Sequence, residues 1–272
     1  MAKLQAKLYR AAVYAGAAFS VGVLVLIVGY ILIKGVPHLS PELFAWEYNS
    51  TNVSMMPAII NTLTITVMTL VFAVPAGIFS AIYLVEYAKR GNKFIKVVRM
   101  TTETLSGIPS IVFGLFGYLF FNMYLGWGYS ILGGALTLAI MVLPLIMRTT
   151  EEALQSVPDA YREGSFGLGA GKLRTVFRVV LPSAVPGILA GVILAVGRIV
   201  GETAALLYPA GTAAQVADGL FSSGRTLAVH MYALLNEGLY MDQAYATAVV
   251  LLVMVVLINA LSSFIAKKAG VK

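Results

Sequence analysis

Residues 148–182 read RTTEEALQSVPDAYREGSFGLGAGKLRTVFRVVLP. This is the one long polar, charged segment in a chain otherwise fit for lipid, and it falls between two apolar segments. Pro158 followed by Asp159 opens a short helix, because proline is tolerated in a first turn and the helix dipole favours an acid there. Gly164, Gly167, Gly169 and Gly171 then supply turn and close-approach positions. Leu173, Val176, Phe177, Val180 and Leu181 recur at i, i+3, i+4, i+7 and i+8, with Lys172, Thr175 and Arg178 on the other face. The segment 148–182 therefore predicts two short helices, joined by a glycine turn and lying flat on a membrane surface.

Outward from this segment the chain is too apolar for a soluble domain: 59% of its residues are hydrophobic and only 11% charged. A spanning helix needs about 20 mostly apolar residues. Six segments qualify: 11–33, 57–85, 102–124, 131–147, 183–209 and 245–266. The fold class predicted is an all-α polytopic membrane protein with a single transmembrane domain. Ala11 to Ile33 has no small-residue cleavage site before Lys34 and reads as a retained first span rather than a secretory signal. Pro75 with Gly77 should kink the second span, and Gly107 with Pro109 should break the third. Between the fifth and sixth spans, Thr226 to Leu235 predicts a short, partly buried helix near the outer surface.

Basic residues set the orientation. Lys3, Lys7 and Arg10 precede the first span, and Lys89, Arg90, Lys93, Lys96 and Arg99 follow the second. Arg148, Arg162, Lys172, Arg174 and Arg178 follow the fourth, and Lys267, Lys268 and Lys272 the sixth. The opposite side holds only Lys34 and Arg225, so both termini and the segment 148–182 are expected in the cytoplasm. The net charge of +7 follows from this asymmetry and calls for no nucleic-acid partner.

Gly167 to Lys172, GLGAGK, lacks the spacing and the hydroxyl of a phosphate-cradling loop, so no ATP site is expected here. With no cysteine and with His38 and His230 far apart, no metal site is expected either.

Glu163, Gly164, Ser165, Gly169, Val179, Leu181 and Pro182 resemble the cytoplasmic signature of bacterial ABC-importer permeases, Glu-Ala-Ala-x3-Gly-x9-Ile-x-Leu-Pro. Gly164 and Ser165 replace two alanines, and Val179 replaces isoleucine. The resemblance implies a coupling helix, with Glu163, Gly164, Ser165 and Gly169 at its contact with a cytoplasmic ATPase. It also implies the six-helix permease fold of type I importers.

A second likeness is narrower. Arg198 to Ala204, RIVGETA, and Gly107 to Gly114, GIPSIVFG, resemble segments of the phosphate-importer permeases, and the length favours their PstA type over the longer PstC type. This implies a heterodimer with a second permease subunit, two ATPase subunits that carry the ATP and magnesium, a periplasmic phosphate-binding protein, and inorganic phosphate as solute. It implies a substrate path past Arg198, Glu202 and Thr203 and a bacterial or archaeal cell membrane.

A charge at mid-bilayer costs roughly 2.5–3.5 kcal/mol on insertion scales, so Arg198 and Glu202 must face protein or water. At i and i+4 on one helix they pair as a clasp, or the guanidinium fork meets a tetrahedral oxyanion. Gly187 with Gly191, and Gly197 with Gly201, permit close helix approach. A permease for sulfate or molybdate remains an alternative, as does an intramembrane scaffold or enzyme, although no Ser/His, paired-Asp or His-x3-His arrangement lies within a span.

Overall fold

The computed structural model describes residues 2–89 and 91–268, so Arg90 and Lys272 of the basic set lie outside the described residues. Among the described residues all regular secondary structure is helical. In chain order the first helices are α1 (Ala2–Gly35), α2 (Met56–Ile82), α3 (Lys93–Ser106), the short α4 (Ser110–Gly117) and α5 (Ile131–Gln155). The short helices α6 (Asp159–Gly167) and α7 (Lys172–Thr175) follow, then α8 (Leu181–Val200), α9 (Ala204–Leu207), α10 (Leu227–Glu237) and α11 (Met241–Lys268). Five helices are long and apolar enough to cross a membrane, and a sixth crossing exists if α3 and α4 count as one.

The core lies where α2, α5 and α8 meet, filled by Ile65, Leu138, Met141, Val142, Ile146 and Ile199. Small residues let these helices approach. Gly187 lies against Ala153 and Gly191 against Thr149, as the first Gly-x3-Gly pair predicts, while Gly197 faces Asn259 on α11 and Gly201 meets only its own preceding turn. Gly77 of α2 packs on Ile146. A valine at Gly191 would drive its Cβ into the Thr149 side chain. We expect Gly191→Val to destabilise the bundle by roughly 1–3 kcal/mol, the usual effect of overpacking, read as a lower thermal midpoint in detergent.

Helix α1 is different, being apolar yet exposed over nearly its whole length. Only its C-terminal end docks, through Gly35 against Tyr245 and Val249 of α11 and through the Tyr30 and Tyr245 hydroxyls at 3.3 Å. An apolar helix without protein neighbours is stable only in lipid or against another chain.

Several helix ends differ from expectation. The fourth helix does not stop at Met147 but runs to Gln155, because Arg148 pairs with Glu152 at i+4 and Glu151 pairs with Arg99 of α3, both at 3.1 Å. The third expected span is two helices set at 104°, with the break at Gly107 to Pro109 that the sequence marks. Helix α2 carries Pro75 without interruption and ends in a widened π-helical turn, Tyr83–Tyr87.

The second half of segment 148–182 is corrected most. Residues 172–200 form one helix, so α7 is the start of the fifth long helix rather than a separate surface piece. Its wide turn Val176–Val180 precedes Pro182, whose missing N–H and bulky ring disturb the regular ladder at this place. The expected apolar face is also rotated. Thr175, Val176 and Val180 are buried, whereas Leu173 and Phe177 are exposed.

At the opposite end of the bundle, α10 forms as expected, with Thr226 accepting from the Val229 N–H and Gly238 left-handed at φ 69° after the last turn. Asn61 of α2 fastens the preceding loop, donating to Gln215 O at 3.0 Å and accepting from Ala217 N at 3.1 Å. His230 is fully buried here, edge-on to Tyr48, and burial first and the Arg225 cation second push its imidazole down to about 3. His38 lies elsewhere, exposed and 3.6 Å from Asp242.

Candidate functional site

Two regions hold the residues singled out from the sequence. The first is α6 and its flanks. Asp159 stands in the first turn, as the sequence predicts, while Pro158 lies one position ahead of that turn with extended ψ. The helix closes in a paired motif: Gly169 N–H donates to Phe166 O at 2.9 Å and Ala170 N–H to Ser165 O at 3.1 Å. Such a closure needs a left-handed residue, and Gly169 has φ 82°.

No residue of α6 is buried, and Tyr161, Phe166 and, just past its end, Leu168 present large apolar groups to the outside. Glu163 is exposed, and a Cβ at Gly164 or Gly169 would meet nothing within 4 Å. Ser165 turns inward instead, its hydroxyl 2.8 Å from that of Thr175, which explains the burial of that threonine. The four residues thus divide: Glu163 and Gly164 offer a bare face, Gly169 shapes the turn, and Ser165 ties α6 to the long helix behind it.

Sequence reasoning missed what anchors this helix. Arg162 reaches across to Glu86 at the end of α2, with Nη2 2.7 Å and Nε 3.1 Å from Oε1. It also donates to Leu154 O at 3.0 Å, Val157 O at 2.8 Å and Asp159 Oδ1 at 3.2 Å. The Glu86 side chain is only 8% exposed. A single acid at the end of an apolar span, directly before a basic loop, was the available signal.

The second region is a cleft of about 330 Å³ between α3, α5 and α8. Met141, Pro144, Arg148, Glu151, Glu152 and Gln155 share one face of α5 and line it from mid-bundle to the α6 end. Thr102, Glu103 and Ser106 of α3 form the facing wall. Arg198 projects from α8 into this cleft and is exposed rather than packed away. Thr104 and Ser106 donate to backbone carbonyls of their own helix, at 2.8 and 2.7 Å.

Glu202 and Thr203 are not in the cleft. Helix α8 ends at Val200 and Gly201 is its cap, so Arg198 and Glu202 do not share a helical face and among the described residues form no ion pair. The fifth expected span, 183–209, is therefore a helix, an unwound turn and the single turn α9. Glu202 Oε1 instead accepts from the Ala205 N–H at 3.1 Å, giving α9 its first backbone partner, while Thr203 O accepts from Leu206 and Leu207. Gly114 of α4 packs against this turn, where a Cβ would stand 2.8 Å from Ala204 O. The clasp reading of Arg198 is thereby replaced by a free guanidinium in an open, charged cleft.

Comparison with known proteins agrees with this architecture. The binding-protein-dependent transport system inner membrane component family matches residues 73–269. The probable ABC transporter permease protein YqgI of Bacillus subtilis is 37% identical over 246 residues, covering 83% of this chain and 82% of that protein. The phosphate transport system permease protein PstA of Mycobacterium leprae is 35% identical over 205 residues, covering 74% of this chain and 67% of its own. In fold, a chain of a bacterial alginate ABC transporter superposes with a TM-score of 0.70 at 16% identity, over 96% of both chains.

Proposed function

Because the chain belongs to the binding-protein-dependent transport system inner membrane component family, we propose that it is a permease subunit of an ATP-driven importer of inorganic phosphate. The observation that carries this reading is Arg198, a guanidinium unpaired among the described residues, at the deep end of a cleft that opens toward α6. A planar donor fork of fixed charge suits a tetrahedral oxyanion, and a cleft that also holds Glu103, Glu151 and Glu152 attracts it only weakly enough to let it go.

In this reading the chain pairs with a second, PstC-like permease subunit, which covers exposed α1 and the open side of the cleft. A periplasmic phosphate-binding protein delivers solute at the α10 end. Two ATPase subunits carry the ATP and magnesium and dock at α6, so this chain itself is not catalytic and holds no cofactor. The α6 end and both termini are placed in the cytoplasm, a reading that the basic residues of the connections support. Arg162 and the Ser165 to Thr175 bond then pass movement of α6 into α2, α5 and α8.

The direct test is ATP hydrolysis by the reconstituted complex. Phosphate-loaded binding protein is expected to stimulate it and a sulfate-loaded counterpart is not; stimulation by sulfate alone would transfer the reading to another oxyanion. A second test addresses the docking helix. Valine at position 169 must take φ 82°, a conformation that β-branched residues adopt with strain of about 1–3 kcal/mol. We expect Gly169→Val to reduce co-purification of the ATPase severalfold while the permease pair stays intact.

A further inference from the structure

We propose that the cleft between the end of α2, α3 and α6 binds the headgroup of an anionic phospholipid, with α3 lying as an interfacial helix. The inner leaflet is assigned from the orientation proposed above; the binding chemistry does not depend on it. The cleft has a volume of about 1020 Å³, and its lining includes Lys89, Lys93, Lys96, Arg99 and Arg162. Arg162 is consumed by Glu86 and Asp159, and Arg99 is bridged to Glu151. Among the described residues the three lysines have no acidic partner, and the five cations of the lining outnumber its three acids, Glu86, Glu103 and Asp159, leaving a surplus of two positive charges.

The sequence of α3, KFIKVVRMTTETLS, divides into stripes at a spacing of three. Lys93, Lys96 and Arg99 form the basic one. Phe94, Val97 and Met100 stand next to it and are 65%, 51% and 58% exposed. The third, Ile95 with Val98, packs inward against Leu84 and Met147 and fixes the rotation of the helix. A bare apolar stripe beside a basic one matches a molecule with acyl chains and an anionic head. Free phosphate would use only the basic stripe, and an acidic protein surface would leave the apolar one uncovered. The 104° turn between α3 and α4 supports the same placement, because it takes this helix out of line with the span that follows.

The test is retention of added lipid by the full-length protein in detergent, read by native mass spectrometry with phosphatidylglycerol and phosphatidylcholine offered in equal amounts. Selective retention of phosphatidylglycerol is expected. Each basic residue near an anionic lipid surface contributes about 1 kcal/mol, so replacing Lys89, Lys93 and Lys96 together by glutamine should weaken it by about a hundredfold. Phe94→Ser with Val97→Ser should also weaken it, with excess inorganic phosphate having no effect on the wild type. Equal retention of the two lipids, or unchanged retention by the lysine variant, overturns the proposal. Displacement by inorganic phosphate without any effect of the Phe94 and Val97 changes overturns it in favour of a soluble anion. Loss of the ATPase from the lysine variant, with lipid retention unchanged, overturns it in favour of an acidic protein contact.

Discussion

Arg198→Gln is expected to lower phosphate uptake by about a hundredfold or more while the complex still assembles. The side chain is exposed and carries no ion pair among the described residues, so its removal leaves no buried group unsatisfied and takes little from the fold. What it removes is the positive charge at the deep end of the cleft. A charge-assisted contact contributes about 1.5–3 kcal/mol, and the upper part of that range corresponds to a hundredfold in rate if it acts on the rate-limiting passage of the anion. Arg198→Lys keeps the charge and loses the bidentate geometry, so intermediate uptake is expected. Uptake should be measured in vesicles, with the amount of assembled complex quantified alongside. Wild-type uptake by the glutamine variant would remove Arg198 from the anion's path.

Arg162→Met is expected to produce the largest loss of stability. It would leave the Glu86 carboxylate, 8% exposed, without its cation and would release the carbonyls of Leu154 and Val157. Removing one partner of a buried pair costs about 3–5 kcal/mol, much of it the penalty of the stranded charge. Combining it with Glu86→Gln removes that penalty, so the double variant should recover part of the thermal midpoint. Binding-protein-stimulated ATP hydrolysis should stay low in both, because α6 has lost its tie to α2 and α5. Recovery of stimulation in the double variant would show that the ion pair serves stability alone.

These two residues mark how far the chain can be read without coordinates. Arg198 stood out because an arginine in an apolar run has few physical justifications. Arg162 looked like one more surface cation, since its partner lies 76 residues away and no local pattern announces the meeting. The same difference explains the helix ends. Apolar runs mark where lipid begins and ends, but α5 continues for two further turns because its charges pair along and across helices. The pairing of Arg198 with Glu202 failed for a local reason: spacing i, i+4 has meaning only within a helix, and Gly201 ends it. Close approach at Gly187 and Gly191 was legible, because it follows from a residue type alone.

The unbroken run from Lys172 to Val200 makes the α6 hairpin, proposed to dock the ATPase, and Arg198, proposed to meet the anion, two ends of one lever. From Thr175 to Arg198 the arm is about 35 Å long, so a tilt of about 10° at the hairpin swings the guanidinium by about 6 Å. That stroke exceeds the reach of any hydrogen bond, so under the proposed docking a modest rocking of the hairpin is enough to part Arg198 from an anion it holds.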